Sequence, residues 1–313
     1  MFSEAHVGVN VYLWIWIITF LFSFVIKSPS ILQKAHSYNK GRVYFLFSAL
    51  TLTWLGVLAG LSYLWYNTDA QLGFHWFNDN YGWLQIDKAG HLFTTFQECR
   101  LIMLMVLWTG ISQTNAVRWG FVGGMIFQCP IELLDGFQSS YGASWGDILA
   151  NSIGAVLFYI QMKYWGTLRC IPKFSVSAHP LSLMRPAFFG ENFFQNILKD
   201  YNGQTYWLSL DIPFLYRKFF WPKWLVVSLG YSIDGVLGGE DNIFNDKDGI
   251  ELDYSHIVRY RQWVISVDIN WDKISPQSGW FKTTVPIISL IKFPAPAIEF
   301  STDKGFTLHW IYF

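Results

Sequence analysis

Ionisable side chains at helical spacing interrupt three otherwise apolar stretches between residues 87 and 154, and they limit the fold more than any other feature. At about 100° per residue, each stretch places its polar residues on one stripe of a helix. These residues are Asp87, His91, Thr94 and Glu98 on the first stripe, Gln128, Glu132 and Asp135 on the second, and Asp147, Asn151 and Gly154 on the third. Such groups are costly to bury singly in an apolar medium. We therefore expect the three stripes to face one another.

The composition indicates a membrane-associated protein. Of the 313 residues, 52% are apolar and 14% are charged, whereas soluble domains carry about 25% charged residues. The formal net charge is zero, which argues against nucleic acid as a partner. Cys99, Cys129 and Cys170 lack the spacing of a metal site. Cys99 and Cys129 stand in apolar runs and are expected to be small buried thiols.

Several apolar segments have the length of membrane helices. Val11–Ile26 follows Glu4 without any Lys or Arg, and no Cys comes after it to accept a lipid. We therefore expect a retained membrane helix there rather than a cleaved signal. Val43–Tyr66 contains no charge and is the clearest predicted spanning segment. Loop charges predict an inner-membrane topology, with Lys34 and Lys163 on one side and Asp79 on the other.

The sequence pattern changes after Arg169. Several prolines there predict a linker, and the segments that follow are predicted to be extended strands. Ile257–Trp271 alternates, so that Trp263, Ile265 and Val267 share one face of a strand. The predicted fold class is α+β, a membrane-embedded helical bundle followed by an antiparallel-sheet-rich domain of roughly five strands. The predicted boundaries are 1–42 for the apolar segment and basic loop, 43–168 for the helical membrane domain with the polar site, 169–204 for the linker, and 205–313 for the sheet-rich domain.

The polar stretch resembles the YfiM-like family of predicted periplasmic lipoproteins of unknown function. The matching residues are Asp87, Lys88, Gly90, His91, Glu132, Asp135, Gly136, Gly142, Ala143, Ser144, Trp145, Gly146, Asp147, Ile148, Ala150, Asn151 and Gly154. The later part, including the run from Lys199 to Trp207, resembles longer members from Bacteroidota-type bacteria. The Asp-Lys-x-x-His, Glu and Asp-x-x-x-Asn-x-x-Gly order is also similar to VanZ-like membrane proteins. The resemblance implies a bacterial cell-envelope location, at the outer membrane or the periplasmic face, and a helical core.

Three interpretations of the polar stripes remain open on the sequence. The stripes are hydrogen-bonding contacts between helices, with Asp147 and Asp87 capping theirs; or a site for a lipid headgroup or divalent cation; or part of an accessory subunit. Converging carboxylates without Arg repel one another, which argues against a purely structural role. The candidate catalytic residues are Asp87, His91, Glu132 and Asp147; the candidate metal ligands are Glu132, Asp135 and Asp147; the supporting residues are Lys88, Glu98, Asn151 and Gly154.

We interpret the chain as a cell-envelope membrane protein with a His/Asp/Glu cluster at one membrane face that binds a lipid headgroup or a cation. The alternative is a non-catalytic accessory subunit of an envelope machine for outer-membrane assembly or secretion. The expected partners are membrane lipid and an envelope protein complex, without nucleic acid. A divalent cation is the expected cofactor of the first interpretation. The sequence does not decide whether the protein is an enzyme, which reaction it would catalyse, or its oligomeric state.

Overall fold

The computed structural model describes residues 35, 37–64, 72–139, 141–190, 193–211, 221–245, 249–274 and 281–313. The predicted helix Val11–Ile26 and Lys34 lie outside the described residues. The helices are α1 Lys40–Leu64, α2 Ile86–Trp108, α3 Gln113–Asp135, α4 Trp145–Tyr164, α5 Pro186–Phe189, α6 Phe193–Lys199 and α7 Phe281–Ile288. The strands are β1 Cys170–Val176, β2 Gln204–Leu210, β3 Leu225–Asp234, β4 Ile243–Asn245, β5 Glu251–Asp253, β6 Tyr260–Ile269, β7 Ala295–Ser301 and β8 Gly305–Tyr312.

Helices α2, α3 and α4 pack closely because small residues lie where they cross. A Cβ atom added to Gly154 of α4 would lie 2.3 Å from the carbonyl oxygen of Leu92 in α2. A Cβ atom added to Gly124 of α3 would lie 2.5 Å from the Sγ atom of Cys99, also in α2. Neither position tolerates a larger residue without movement of the neighbouring helix. This close packing brings the polar stripes of the three helices together.

The C-terminal part forms an antiparallel sheet with the strand order β1-β2-β3-β6-β7-β8, beside a two-stranded β4–β5 hairpin. The predicted α+β content with an antiparallel sheet is therefore confirmed. The region predicted as a linker, 169–204, contains the edge strand β1, which pairs along its length with β2. Pro172 lies within β1, where an edge position leaves its missing N–H without consequence for the ladder.

The two faces of the sheet differ in an unusual way. Leu229, Ile265, Ile298 and Leu308 stand opposite one another across four strands, and all four are exposed. Trp263, Ile265 and Val267 share a face as predicted, and that face is exposed. The other face buries polar groups, among them the Nζ atom of Lys173, 2.7 Å from Oδ2 of Asp268. The sheet thus presents apolar side chains outward and keeps charged pairs inside.

The prediction of a membrane-embedded helical bundle is wrong. Among the described helices, none combines the length and the apolar character that crossing a membrane requires. The charged residues Glu98 and Arg100 stand in the middle of α2, and Arg100 makes two hydrogen bonds of 3.0 Å to the carboxylate of Asp272. This finding also removes the support for the spanning segment predicted at Val43–Tyr66. The inner-membrane topology predicted from the loop charges depended on such segments and is not supported either.

A left-handed turn precedes α2, and hydrogen bonds join this turn to the sheet half of the molecule. Trp83, Leu84 and Gln85 have φ values of 50°, 48° and 69°, a conformation that residues other than glycine rarely adopt. The backbone N–H of Trp83 donates to the carbonyl of Gly239 at 2.7 Å. The hydroxyl of Tyr231, in β3, donates to the carbonyl of Leu84. The sheet half of the molecule therefore fixes the direction in which α2 begins.

Candidate functional site

The buried polar cluster lies where the N-terminal ends of α2 and α4 meet the C-terminal end of α3. Asp87 and His91 come from α2, Glu132 from α3, and Asp147 and Asn151 from α4, and all five are buried. The structure thus brings together residues from all three predicted stripes. Two helix N-termini point into this region, and such ends favour negative charge.

Ser144 begins α4 and organises the loop side of the cluster. Its Oγ atom accepts from the backbone N–H of Asp147 at 3.2 Å, so Ser144, and not Asp147, is the N-cap. The same hydroxyl donates to Oδ1 of Asp79 at 2.5 Å. Its backbone N–H donates to Oε2 of Glu132 at 3.3 Å. One serine therefore links an acidic residue of the preceding loop, the end of α3 and the start of α4.

His91 is held with its Nε2 atom toward Asp147. The Nδ1 atom lies 3.2 Å from Oδ1 of Asn151, which also accepts from the hydroxyl of Thr95 at 2.8 Å. Because an amide oxygen only accepts, Nδ1 carries the proton and Nε2 keeps its lone pair. Nε2 is 3.4 Å from Oδ1 of Asp147. Burial, and then the charge of Lys88, lower the pKa of His91 to about 4, so the ring is neutral at pH 7.

The carboxyl groups of Glu132 and Asp147 are buried beside this histidine. Oε1 of Glu132 is 3.9 Å from Nδ1 of His91 and has no hydrogen-bond partner within the described part of the chain. Burial, and then the charges of Asp147 and Asp135, raise the pKa of Glu132 to about 10. Burial raises the pKa of Asp147 to about 7, although Lys88 opposes this. Glu132 therefore keeps its proton at pH 7, whereas Asp147 is about half protonated there, and a bound cation would displace both protons.

Lys88 is surrounded by three carboxylates. Its Nζ atom lies 2.9 Å from Oδ2 of Asp87, 2.8 Å from Oδ1 of Asp147, and in direct contact with Oδ2 of Asp79. Burial disfavours the ammonium form, but the three carboxylates outweigh burial and raise the pKa of Lys88 above its ordinary value. Burial, and then the charge of Asp147, raise the pKa of Asp87 to about 6 against the effect of Lys88. Lys88 therefore remains a fixed positive charge.

Two groups of side chains have the spacing of metal ligands. Ligand atoms of His91, Glu132 and Asp147 lie within 4.8 Å of one another, and so do those of Asp79, Asp87 and Asp147. Asp135, expected as a ligand, is half-buried at the end of α3 and joins neither group, though its charge reaches Glu132. Neutral imidazole and carboxylate together suit divalent cations such as Zn²⁺ and Mn²⁺.

The remaining predicted residues lie apart from this centre. Glu98 is two turns further along α2, where its Oε2 atom accepts from Nε2 of Gln128 at 2.8 Å. Gly154 serves the contact between α2 and α4. Asp79 was missed as a site residue because it stands in a loop, where helical spacing gives no information about its direction. Its only signal was an acidic side chain shortly before the start of α2.

Residues 74–163 match the model of a family described as a predicted periplasmic lipoprotein (DUF2279). The matched region includes α2, α3, nearly all of α4 and the loop of Asp79, so the whole cluster lies inside the matched region. The resemblance to predicted periplasmic lipoproteins is confirmed, and the family description supports an envelope location. The resemblance to VanZ-like proteins and to Bacteroidota-type members stays a prediction. No curated protein and no solved structure matches the chain.

Proposed function

We propose that this chain, an envelope protein, binds a divalent cation through His91, Glu132 and Asp147. The observation that supports this most directly is the pairing of a neutral imidazole with two buried carboxyl groups at ligand spacing. Oε1 of Glu132 adds to it, because a buried acidic oxygen without a partner is costly unless a cation or proton satisfies it. Three protein ligands also leave coordination positions open.

The balance of charge favours a cation. Asp79, Asp87, Glu132 and Asp147 are four carboxyl groups, and Lys88 is the ammonium that contacts three of them. Several negative charges in so small a volume raise one another's pKa values, so the cluster without metal must retain protons. A divalent cation would replace those protons and remove the repulsion. A purely structural cluster would need neither the acids nor the metal.

The open positions suggest what the site does with its cation. An anionic oxygen, such as that of a lipid-headgroup phosphate, would complete the coordination of the metal. Asp79 and Lys88 are the members of the cluster with the greatest access to solvent, so a ligand would enter from their side. A cation bound by His91, Glu132 and Asp147 would also acidify a water in one of its open positions.

The test is metal analysis of the purified full chain, followed by titration calorimetry with Zn²⁺ and with Mn²⁺. Asp147→Asn and His91→Gln keep side-chain size and much of the hydrogen bonding, but they remove a ligand charge or a lone pair. We expect each to lower metal affinity at least tenfold while the protein stays folded. Asp135→Asn is the matched control, because it neutralises a nearby acid outside both ligand groups. Equal affinity in all four proteins would refute the proposed site.

The alternative function, an accessory subunit of an envelope machine, is favoured by a different observation. The exposed apolar face of the sheet, which includes Ile265, Ile298 and Leu308, offers a contact surface for an envelope protein. This function needs no metal. The test is complementation of a strain that lacks the gene for this protein. If this function is correct, a charged substitution such as Ile298→Lys would abolish complementation, whereas the Asp147→Asn variant would complement fully.

A further inference from the structure

Lys88 occupies the position that a second cation would take beside the proposed metal. We infer that its ammonium group is the resident cation in one position of a site shaped for two cations, and that Lys88 restricts this site to a single metal ion. The inference rests on the proposed function, because the first position is the one defined by His91, Glu132 and Asp147.

The geometry of the second position comes from three carboxylates. Asp79, Asp87 and Asp147 form a ligand group of their own, with atoms within 4.8 Å of one another. The Nζ atom of Lys88 contacts all three, at 2.9 Å from Asp87 and 2.8 Å from Asp147. Carboxylate oxygens from three separate residues are the usual ligands of hard divalent cations. An ammonium group bound in this way takes the place of a metal ion and supplies one positive charge where a divalent cation would supply two.

Asp147 joins the two positions. Its Oδ1 atom lies 2.8 Å from Nζ of Lys88 and 3.4 Å from Nε2 of His91. A carboxylate placed between two cations is the arrangement found in two-metal sites, where the ions stand about 3.5–4 Å apart. In this chain one of the two cations is part of the protein.

Each position also keeps an acidic oxygen that no described atom satisfies. Oδ1 of Asp87 belongs to a side chain with 0% exposure, and Oε1 of Glu132 to one with 7% exposure. Lys88 contacts only the other oxygen of Asp87. When an ammonium group contacts only one oxygen of a buried carboxylate, the lone pairs of the other oxygen remain available to a metal ion, which can bind both oxygens.

The path of the lysine side chain is built into the start of α4. A Cβ atom added to Gly146 would lie 2.7 Å from Cε of Lys88. Glycine at this position therefore leaves the space through which the aliphatic stem reaches the three carboxylates. Gly146→Ala would displace the stem and loosen the ammonium from its position without removing any charge.

Replacement of Lys88 by a neutral residue tests the inference. Lys88→Met keeps the length of the stem and vacates the second position, so the full chain should bind about two Mn²⁺ ions where the wild type binds about one. Lys88→Arg keeps the charge and should bind about one. The double variant Lys88→Met/Asp79→Asn removes a carboxylate from the vacated position and should return to about one. The measurement is Mn²⁺ stoichiometry by equilibrium dialysis with elemental analysis.

Electron paramagnetic resonance gives a second measurement. The electron spins of two Mn²⁺ ions that share Asp147 would couple, and this coupling would broaden the spectrum. Wild-type protein loaded with Mn²⁺ should give the spectrum of an isolated ion, and Lys88→Met that of a coupled pair. A single isolated ion in Lys88→Met would overturn the inference and leave the proposed function standing. Absence of both bound Mn²⁺ and bound Zn²⁺ in the wild type would instead overturn the proposed function.

A further variant covers the case in which Lys88→Met does not fold without metal. Asp79→Asn in the wild-type background leaves His91, Glu132 and Asp147 intact. If Lys88 is the second cation, this variant should keep its single Mn²⁺ with affinity within about threefold of wild type. Loss of that ion would show that the metal lies among Asp79, Asp87 and Asp147 and displaces the lysine, which contradicts the assignment of Lys88.

Discussion

Glu98 offers the sharpest test of the electrostatics inside the bundle, because it lies apart from the proposed metal ligands. Its carboxyl group is 1% exposed, accepts one hydrogen bond from Gln128 at 2.8 Å, and leaves Oε1 without a partner among the described residues. Burial raises the pKa of Glu98 from 4.5 to about 8. The folded protein therefore holds this proton more tightly than the unfolded chain does.

The sign and size of the effect follow from linkage. Because the folded pKa is the higher one, the free energy of unfolding falls as the pH rises from the unfolded value toward the folded value. At about 1.4 kcal/mol per pKa unit, the loss is about 1 kcal/mol at pH 5 and about 3 kcal/mol at pH 7, and it levels off near about 5 kcal/mol above pH 8. Glu98→Gln keeps the size and the bond from Gln128 but removes the charge. The variant should therefore exceed the wild type in stability by these amounts.

The assay is urea unfolding followed by tryptophan fluorescence at pH 5, 7 and 8.5. The difference between Glu98→Gln and the wild type should grow by about 2 kcal/mol from pH 5 to pH 7. Glu240→Gln is the matched control, because it makes the same chemical change at an exposed position. A difference for Glu98→Gln that does not depend on pH would refute the reasoning, because burial would then leave the proton affinity of Glu98 unchanged.

The remaining predictions concern packing, the sheet and protons. Gly154→Ala forces α2 and α4 apart and should lower the free energy of unfolding by about 1–3 kcal/mol in urea titrations; an unchanged midpoint would contradict the close contact. Lys173→Met removes the ammonium that contacts the buried carboxylate of Asp268 and should cost about 3–5 kcal/mol in the same assay, whereas a cost below about 1 kcal/mol would show that the remaining donors, which include two backbone N–H groups and the hydroxyl of Ser209, suffice. Mn²⁺ binding should release protons from Glu132 and Asp147, whose pKa values are raised to about 10 and about 7, and so weaken as the pH falls from 8 to 6. Calorimetry in buffers of different ionisation enthalpy measures this release, and binding without it would mean that other groups hold the metal.

Helical spacing predicted the centre of the site because it fixes the direction of a side chain. His91, Glu132, Asp147 and Asn151 stand on stripes that the 3.6-residue period defines, and three packed helices leave few other ways to bury them. Asp79 and Ser144 stand in loops, where no period applies. The sequence therefore gave no direction for either, although together they link the three helices.

The exterior of the molecule was harder to predict than its polar interior. The alternation of β6 predicted that Trp263 and Ile265 share a face, but a period of two residues does not say which face is buried. The apolar composition led to the prediction of membrane spans for a similar reason, because the number of apolar side chains does not say whether they face lipid or the interior of the protein. Lys173 in β1 was taken for part of a linker because a buried lysine is recognisable only from its partner, Asp268, which is distant in the sequence.

The left-handed turn at Trp83, Leu84 and Gln85 has a consequence for the order of folding. Each such residue costs about 1–2 kcal/mol relative to a right-handed conformation, and the hydrogen bond from Tyr231 to Leu84 that offsets part of this joins residues 147 positions apart. The helices α2, α3 and α4 precede the sheet in the chain and therefore emerge from the ribosome before it. Asp87 and Lys88 follow the turn directly, so they reach their final positions only when β3 is in place. We therefore expect the position of Lys88 among its three carboxylates to be completed only after β3 has been made.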